Sequence, residues 1–368
     1  MKILAMYLPQ FHEVKENNEW WGDGYTEWNA VRNAKPLFNG HVQPRIPLNE
    51  NYYDLGNPNA NTWAWQASLA KQYGVYGFCI YHYWFKNGRK ILEKPMEILL
   101  RHPEIDVRYC VCWANETWRR SWYGQSYEIL LEQSYGEEKE WRDHFEYLLP
   151  FFKDKRYILV DNKPMINVYR TFEIENFKLM RECWEELAKQ NGFSGVHIVS
   201  GTGLHGMYYR RDLFDAYYEF EPGFSLVHNL SWIRRKEYYA KGIVNHLRNK
   251  LFHTKLLERK INIEWLYKAS LDFLTKCQNQ GITIYPGVCP MWDNSPRRGH
   301  LGFVTTNSTP QLFYQQLKNL GRFLPASPND FLYINAWNEW GEGTYLEPDE
   351  HFKFAYLSAI KKAVDLDD

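Results

Sequence analysis

Two glutamates three residues apart, set among tryptophans and glycines, stand out as residues that could do acid–base chemistry. The segment runs Trp337-Asn338-Glu339-Trp340-Gly341-Glu342-Gly343. Burial among indole rings and mutual repulsion can push the pKa values of two neighbouring carboxyl groups apart, as a glycosidase requires of its acid and its base. Glycines beside them permit a sharp turn and close approach of a ligand. We therefore predict Glu339 and Glu342 as catalytic residues, with a pair of solvated loop glutamates as the alternative.

Further polar and aromatic residues follow short apolar runs elsewhere in the chain. Those that we predict to bind substrate are His12, His82, Trp84, Trp113, Asn115, Glu116, Tyr169, Glu219, Trp292, Asp293, Trp337 and Asn338. Aromatic side chains commonly line ligand pockets, with a few polar groups that fix the ligand's orientation. The alternatives are a buried structural role for His82, core packing for the tryptophans and a helix-capping role for Asp293.

Eight apolar, β-branched or aromatic runs of strand length precede these residues. They are Ile3–Leu8, Val75–Tyr81, Val107–Trp113, Met165–Tyr169, Val196–Ser200, Ala216–Phe220, Ile282–Val288 and Phe331–Trp337. Segments with helical spacing alternate with them, at Ala60–Tyr73, Ile91–Arg101, Glu137–Phe152, Glu175–Gln190, Gln311–Phe323 and Phe352–Val364. Strand alternating with helix predicts a parallel sheet, and eight units predict an α/β fold with a closed (β/α)8 TIM barrel, as one domain over residues 1–368.

The predicted barrel explains why the chemistry-bearing residues follow the strands. Active sites of such barrels form at the C-terminal ends of the strands, where these side chains stand. Along the eighth run, alternation predicts Ala336 on the helix-facing side, and Asn335, Trp337 and Glu339 on the side that faces the lumen. Two long insertions are expected, Pro9–Asn59 after strand 1 and Pro222–Gly281 before strand 7, and an extra hairpin is expected over Tyr157–Val168 with its turn at 161–164.

Composition limits the classes of function. The chain has 368 residues with 44 Lys+Arg and 44 Asp+Glu, a balance that argues against a nucleic-acid partner, and aromatic residues make up 17%. Such an aromatic content favours stacking on an oligosaccharide or polysaccharide. Neither a signal peptide nor a membrane-spanning run is recognisable, which predicts a cytoplasmic protein, with peripheral association with the inner membrane as an alternative.

One segment is strongly basic. Residues 232–260 contain nine Lys or Arg and two Glu. A solvated helical face is one interpretation, and a basic, aromatic surface that contacts a membrane or an anionic substrate tail is the other.

No cofactor or metal is predicted. The sequence contains no HExxH and no Walker loop, Asp365-Leu366-Asp367 is its one Asp-x-Asp, and Cys110 and Cys112 are expected to be buried thiols. A dinucleotide site is the alternative, because Gly201-Thr202-Gly203-Leu204-His205-Gly206 matches GxGxxG and Glu219 or Glu221 follows about 20 residues on. The bulky Tyr208-Tyr209-Arg210-Arg211 that follows argues against close packing of a helix on a strand there.

The chain resembles the WbsX-type glycosyltransferases of bacterial O-antigen and capsule genes, which carry a glycoside hydrolase family 99-like domain. The resemblance covers nearly the whole chain. Its motifs are Tyr7-Leu8-Pro9-Gln10-Phe11-His12, Trp20-Trp21-Gly22, Thr26-Glu27-Trp28, Lys35-Pro36-Leu37-Phe38, Tyr81-His82-Tyr83-Trp84, Cys112-Trp113-Ala114-Asn115-Glu116, Trp292-Asp293-Asn294 with Pro296-Arg297-Arg298, and Asn338-Glu339-Trp340-Gly341-Glu342-Gly343 with Leu346-Glu347-Pro348.

The resemblance implies a (β/α)8 fold and a retaining mechanism on an α-linked, mannose-configured unit of a bacterial surface polysaccharide. It implies that Glu339 takes the proton of the substrate's 2-hydroxyl, giving a 1,2-anhydro sugar, and that Glu342 protonates the leaving oxygen and then activates water. Gly341 stands where the hydrolases often carry a bulkier residue. A glycosyltransferase of lipopolysaccharide assembly and a non-catalytic glycan-binding barrel are the alternative functions.

Overall fold

Parallel strands form a barrel in which each strand pairs with its neighbours in chain order. The computed structural model describes residues 1–119, 128–208, 210, 212–252, 259–325 and 329–365. The barrel strands are β1 (Lys2–Tyr7), β2 (Gly77–Trp84), β3 (Arg108–Trp113), β4 (Lys163–Val168), β5 (His197–Gly201), β6 (Ala216–Tyr218), β7 (Ile284–Tyr285), β8 (Gly287–Val288) and β9 (Phe331–Ile334). Their order is β7-β6-β5-β4-β3-β2-β1-β9-β8.

The barrel closes through a strand that is divided by a proline. β7 pairs with β6 and β8 pairs with β9, and Pro286 lies between them. Proline has no N–H to donate, so the ladder is interrupted there, but the Pro286 carbonyl still accepts from the backbone N–H of Tyr333 at 2.8 Å. β7 and β8 together correspond to the predicted seventh run, and the α/β barrel prediction is confirmed.

Helices surround the barrel and fill its insertions. They are α1 (Lys15–Trp21), α2 (Glu27–Arg32), α3 (Asn61–Gln72), α4 (Lys94–Arg101), α5 (Glu138–Phe152), α6 (Phe177–Gln190), α7 (Trp232–Phe252), α8 (Ile263–Asn279), α9 (Ser295–Arg298), α10 (Pro310–Leu320) and α11 (Ala355–Val364). The first insertion contains α1 and α2, and the second contains α7. In the described part of the chain, no helix is long and apolar enough to cross a membrane.

Short strands outside the barrel fasten its loops. They are Lys90–Ile91, Trp118–Arg119, Ile129–Leu131, Leu159–Val160, Lys260–Asn262, Val304–Thr306, Asn338–Glu339 and Thr344–Tyr345. Leu159–Val160 pairs antiparallel with the start of β4, as the predicted hairpin requires. The turn is narrower than predicted: Asp161 and Asn162 form it in the left-handed region, with φ of 50° and 58°.

The barrel lumen is filled by side chains rather than open. The Tyr333 hydroxyl donates to Asn167 Oδ1 at 2.7 Å, and Asn167 Nδ2 donates to Cys110 Sγ at 3.4 Å. The Tyr218 hydroxyl lies 3.5 Å from Cys112 Sγ, and its ring stacks on that of Tyr333. Residues from four strands therefore meet in the lumen, so a ligand has room only at the mouth.

β9, which corresponds to the predicted eighth run, is shorter than Phe331–Trp337. It ends at Ile334, so the alternation of side chains does not extend to Trp337, which is directed away from the lumen. Its indole Nε1 donates to Glu347 Oε1 at 3.0 Å, and its ring lies 4.8 Å from that of Phe78. The expectation that Trp337 shares a lumen-facing side with Glu339 is therefore corrected.

A buried carboxyl group ties this region together. Glu347 accepts hydrogen bonds from Trp337, Trp340, Gln66 on α3 and the Tyr53 hydroxyl, at 2.7–3.0 Å. Burial raises the pKa of Glu347 to about 7, against the effect of these donors.

We expect Glu347→Gln to lower the free energy of unfolding by about 2–4 kcal/mol, because an amide nitrogen would face donors in place of an acceptor. The deficit should shrink as the pH rises from about 4.5 through 7. The folded pKa is raised, so the stability that wild-type protein gains from this carboxyl is full at low pH and is lost over that range, whereas glutamine does not titrate. Denaturant titrations at several pH values measure this, with Glu146→Gln on the exposed side of α5 as the control. A constant deficit across pH would contradict the prediction.

Candidate active site

The two predicted catalytic glutamates lie on one short hairpin after β9. Asn338–Glu339 pairs antiparallel with Thr344–Tyr345, and a tight turn over Trp340–Glu342 joins them. Gly343 has φ of +57°, and a Cβ there would lie 2.6 Å from the Asp293 carbonyl oxygen, so glycine is required. The turn is held from outside as well, since the Asp293 backbone N–H donates to the Glu342 carbonyl at 2.8 Å.

One arginine contacts both glutamates and a third carboxylate. Arg297 Nη2 donates to Glu339 Oε2 at 2.9 Å, and its Nη1 lies 3.1 Å from Glu342 Oε1. Its Nε donates to Glu27 Oε1 at 2.7 Å. Glu27 is fully buried on α2, so one guanidinium from α9 faces three carboxyl groups. We call Glu27, Arg297, Glu339 and Glu342 the arginine–carboxylate cluster.

Burial and crowding perturb the pKa values of Glu339 and Glu342. Burial raises the pKa of Glu339 to about 8; Arg297 opposes that shift, and the neighbouring Glu342 adds to it. The pKa of Glu342 is raised as well, again by burial and against Arg297. At neutral pH the pair therefore holds a proton, as an acid and a base working together need.

The structure explains why residue 341 is a glycine, which the sequence alone did not. A Cβ at this position would lie 1.7 Å from Glu27 Oε1 and 2.7 Å from Arg297 Nε. The ion pair between Glu27 and Arg297 occupies the space that a side chain would fill. The glycine therefore permits the arginine to reach both catalytic candidates.

Three tyrosines are influenced by the charges of the glutamates. Burial and then the charge of Glu339 raise the pKa values of Tyr81 and Tyr83 on β2. The pKa of Tyr169 is raised by burial, then by Glu116 and, less strongly, by Glu342. Glu116 forms an ion pair with Arg170, and its pKa is raised by burial, by Glu173 and by Glu342. Of the predicted binding residues, Tyr169 and Glu116 thus lie near the pair.

Three other predicted binding residues lie elsewhere. The Trp84 ring stacks on His144 of α5 with centroids 4.6 Å apart, and His82 Nε2 lies 2.9 Å from His144 Nε2. Trp113 packs edge-on against His144 and near Trp184 of α6. Alternation explains this placement: on β2, Tyr81 and Tyr83 face the glutamates, so His82 and Trp84 face the helices. The expectation that His82, Trp84 and Trp113 meet at the barrel mouth is corrected.

Two asparagines use their amides to join the ends of adjacent strands. Asn338 Oδ1 accepts from the Leu8 N–H at 2.8 Å, and its Nδ2 donates to the Leu8 carbonyl at 3.0 Å. Asn115 makes the same two bonds with Arg170, at 2.8 and 2.9 Å. Both amides are thus engaged by the backbone and position the site rather than face a ligand.

Asp293 and Trp292 hold loops in place. Asp293 Oδ2 accepts from His41 Nε2 at 2.7 Å and Gln43 Nε2 at 2.5 Å, and its Oδ1 accepts from the Ser295 N–H at 3.1 Å. The latter bond reaches the first residue of α9 from two positions before it, whereas the N-cap residue of α9 is Asn294, so Asp293 does not cap this helix as the alternative expected. Burial alone would raise the pKa of Asp293, but the bond from His41 holds that pKa below its usual value. Trp292 stacks on Phe303 at 5.6 Å in a separate apolar cluster.

His12 and Glu219 are enclosed in the protein. His12 Nδ1 lies 2.9 Å from the Pro9 carbonyl, and burial lowers the pKa of this histidine to about 4. Glu219 Oε2 accepts from Ser270 of α8 at 3.0 Å and from the Gly287 N–H at 3.2 Å. Burial raises the pKa of Glu219 to about 7, and burial also raises the pKa of its neighbour Glu221 well above its usual value. Neither residue contacts the arginine–carboxylate cluster among the described contacts.

The glycine-rich loop does not have the setting that a dinucleotide needs. Gly203 and Gly206 form a bridge across a tight turn, and the described residues from 207 to 215 contain no helix. Tyr209 and Arg211 lie outside the described residues, as do Leu366 and Asp367. A helix N-terminus that would receive a pyrophosphate is therefore absent from the described part of this loop. Across all the residues that the structure describes, no group of three or more His, Cys, Asp or Glu is arranged to hold a metal ion.

Sequence reasoning missed Arg297 and Glu27 as site residues. Both belong to motifs named above, yet they lie 270 positions apart and meet only in the folded chain. The available signal was an arginine pair that follows Trp292-Asp293-Asn294 after two intervening residues, close to a predicted strand end.

Comparisons with known proteins agree with this architecture. The family model described as Glycosyltransferase WbsX matches residues 3–360. A Xanthomonas campestris pv. campestris protein described as uncharacterized protein WxcX is 32% identical over 366 residues, which is 98% of this chain and 49% of that protein. The chain thus spans about half the length of the curated relatives that it matches.

Solved structures share the fold at low sequence identity. The GH99 endo-α-mannosidase from Bacteroides thetaiotaomicron, in complex with bis-tris-propane, is 12% identical with a TM-score of 0.57, over 99% of this chain and 96% of that one. A structure described as a glycoside hydrolase-like protein is 14% identical with a TM-score of 0.58, over 98% and 93%. These likenesses bear on the barrel fold.

Proposed function

This chain belongs to the family described as Glycosyltransferase WbsX, and we propose that it cleaves or transfers an α-linked, mannose-configured glycosyl unit of a bacterial surface polysaccharide. Glu339 and Glu342 are the catalytic residues of this proposal. The sugar class rests on the resemblance of the closing motif and on the fold shared with an endo-α-mannosidase.

The arginine–carboxylate cluster carries the proposal. Two carboxyl groups with raised pKa values contact one guanidinium at the C-terminal end of the barrel, where enzymes of this fold bind substrate. The charges of the pair raise the pKa values of the Tyr81, Tyr83 and Tyr169 phenols, and in this proposal these residues supply rings and hydroxyl groups for a sugar. Together they fit an acid–base reaction on a neutral, hydroxyl-rich ligand.

In the proposed reaction the substrate supplies its own nucleophile. Glu339 takes the proton of the 2-hydroxyl, whose oxygen bonds to the anomeric carbon as the glycosidic bond breaks. Glu342 gives its proton to the leaving oxygen, which yields a 1,2-anhydro sugar and the aglycone. Glu342 then removes a proton from the water, or from the acceptor hydroxyl, that opens the anhydro ring, while Glu339 returns its proton to the 2-oxygen.

The position of the proton matters for the first step. Burial raises the pKa of both carboxyl groups, and the proposed reaction begins with the proton on Glu342. Both carboxyl groups contact one guanidinium, and a sugar hydroxyl that donates to Glu339 stabilises its ionised form. In this proposal, substrate binding therefore favours the form in which Glu339 is ionised and Glu342 is protonated.

Glycosyl transfer from an activated donor is the second candidate, favoured by the description of the matching family. Hydrolysis and transfer are distinguished by incubating the protein with α-mannosidic oligosaccharides in water and analysing the products by mass spectrometry. Shortened oligosaccharides without any added donor support the hydrolytic form of the proposal, and extension only with a nucleotide-sugar donor supports transfer.

A glycan-binding barrel without turnover is the third candidate. It predicts that ligand binding is retained and that Glu339→Gln and Glu342→Gln change neither binding nor products. Binding without products under both conditions would overturn the enzymatic proposal.

A further inference from the structure

Helix α7 carries an apolar surface that stays exposed in the described part of the chain. Trp232, Ile233, Ile243 and Leu247 are 61%, 72%, 62% and 50% exposed. At 100° per residue, they fall with Tyr239 on one continuous side of the helix. Large side chains of this kind are seldom exposed together on a soluble surface, so this side, which we call the α7 outer face, is suited to an interaction.

The opposite side of α7 fastens the helix to the barrel. The guanidinium of Arg234 lies 3.7 Å from the centre of the Trp265 ring on α8, and the Tyr238 ring meets Phe303 edge-on at 5.8 Å. The guanidinium of Arg259 lies 4.2 Å from the centre of the Tyr238 ring. Because these contacts fix the rotation of α7 about its axis, its apolar side points away from the protein.

Positive charge accompanies the exposed apolar side. Along α7 the sequence has six Lys or Arg and one acidic residue, Glu237. Lys236 lies within the outer face with its Nζ 3.8 Å from the centre of the Trp232 ring, and Arg235 borders that face. The cavity of about 380 Å³ behind the helix is lined by further cations, Arg234, Lys241, Arg259 and Lys260.

We propose that the α7 outer face lies on the surface of an anionic phospholipid membrane. An apolar stripe with aromatic residues and flanking cations is the pattern of helices that lie in the interface plane, where apolar groups enter the acyl boundary and cations meet the headgroups. The local positive charge of α7, on a chain whose total net charge is zero, gives the charge complementarity that selects an anionic surface. Residues 253–258 of the basic segment lie outside the described residues and are not part of this face. The inference is independent of the proposed catalytic activity.

Vesicle flotation with the full chain tests the proposal. We expect binding to vesicles of equal phosphatidylglycerol and phosphatidylcholine, weaker binding as salt increases, and little binding to pure phosphatidylcholine. Ile243→Asp with Leu247→Asp should weaken binding at least about tenfold, and Arg235→Gln or Lys236→Gln about fivefold each. Leu179→Asp, at a residue of α6 that is 55% exposed, is the matched control and should bind as wild type does.

The variants lie on the surface, so their melting temperatures should equal that of wild type, and a lost signal cannot then be ascribed to unfolding. Equal binding to both kinds of vesicle, equal loss in Leu179→Asp, or no binding at all overturns the proposal. A dimer that forms without lipid and that Ile243→Asp with Leu247→Asp abolishes, as seen by sedimentation, would assign the face to a second copy instead.

Discussion

Replacing Glu339 with glutamine is expected to slow turnover by about 10²–10⁴-fold, because the 2-hydroxyl then loses its base. Affinity for the sugar should change far less, since the tyrosines around the pair remain. A substrate with hydrogen in place of the 2-hydroxyl should bind to the wild-type protein without reacting. Single-turnover rates and binding measured on the same ligands separate the two effects.

Glu342→Gln should behave differently with an activated substrate. A glycosyl fluoride has a leaving group that needs no proton, so it should partly restore the first step in Glu342→Gln and should not restore it in Glu339→Gln. Glu146→Gln serves as the control for an acidic residue remote from the cluster. Turnover of the 2-deoxy substrate by wild type would exclude participation of the hydroxyl, and equal rescue of both variants would reject the division of roles.

Arg297→Gln is expected to be the most damaging single change in the site. It leaves Glu27, Glu339 and Glu342 facing one another in a buried region without their cation, which typically costs about 3–5 kcal/mol. Exposed Arg298, the next residue along, is the matched control, and Arg298→Gln should cost less than about 0.5 kcal/mol. If both variants lose the same stability, Arg297 does not offset the buried charges of Glu27, Glu339 and Glu342.

The pH dependence of Arg297→Gln gives a sharper measurement. Arg297 lowers the pKa values of Glu339 and Glu342, which burial raises, so its loss should raise both further. Raised folded pKa values favour the protonated carboxyl, so the loss of stability should be small near pH 5 and should grow toward pH 9. For the same reason the acidic limb of any remaining activity should move to higher pH. Adding Glu27→Gln should restore part of the stability, because one of the uncompensated carboxylates is removed.

The sequence predicted the barrel because each run is short, apolar and followed by a helical segment. It also placed Glu339 and Glu342 together, because residues three positions apart on one tight turn must lie close in space. It could not place His82, Trp84 and Trp113, because apolar residues occupy both faces of β2 and β3, and nothing in such runs marks which face meets the helices.

Polar residues posed a different difficulty. Asn338 and Asn115 look like ligand-binding amides in the sequence, but their bonds go to the backbone of distant segments. Arg297 joins α2 to the hairpin that follows β9, and this partnership depends on how the first insertion and the segment after β8 dock on the barrel. Local patterns carry no record of that docking, which is why Arg297 and Glu27 were found only in the folded chain.

Each of Asn338 and Asn115 forms a pair of hydrogen bonds with the backbone of the neighbouring strand end, which we call an asparagine clasp. These clasps also affect how such a barrel can change over evolutionary time. Asn338 and Asn115 complete the hydrogen bonding at the ends of neighbouring strands with side chains, so the loops that follow need not supply it. A loop beyond such a clasp can lengthen, shorten or be exchanged while the strand ends stay joined. The barrel mouth is therefore built so that recognition of a new sugar can be acquired by altering loops, without endangering the scaffold that holds the two glutamates.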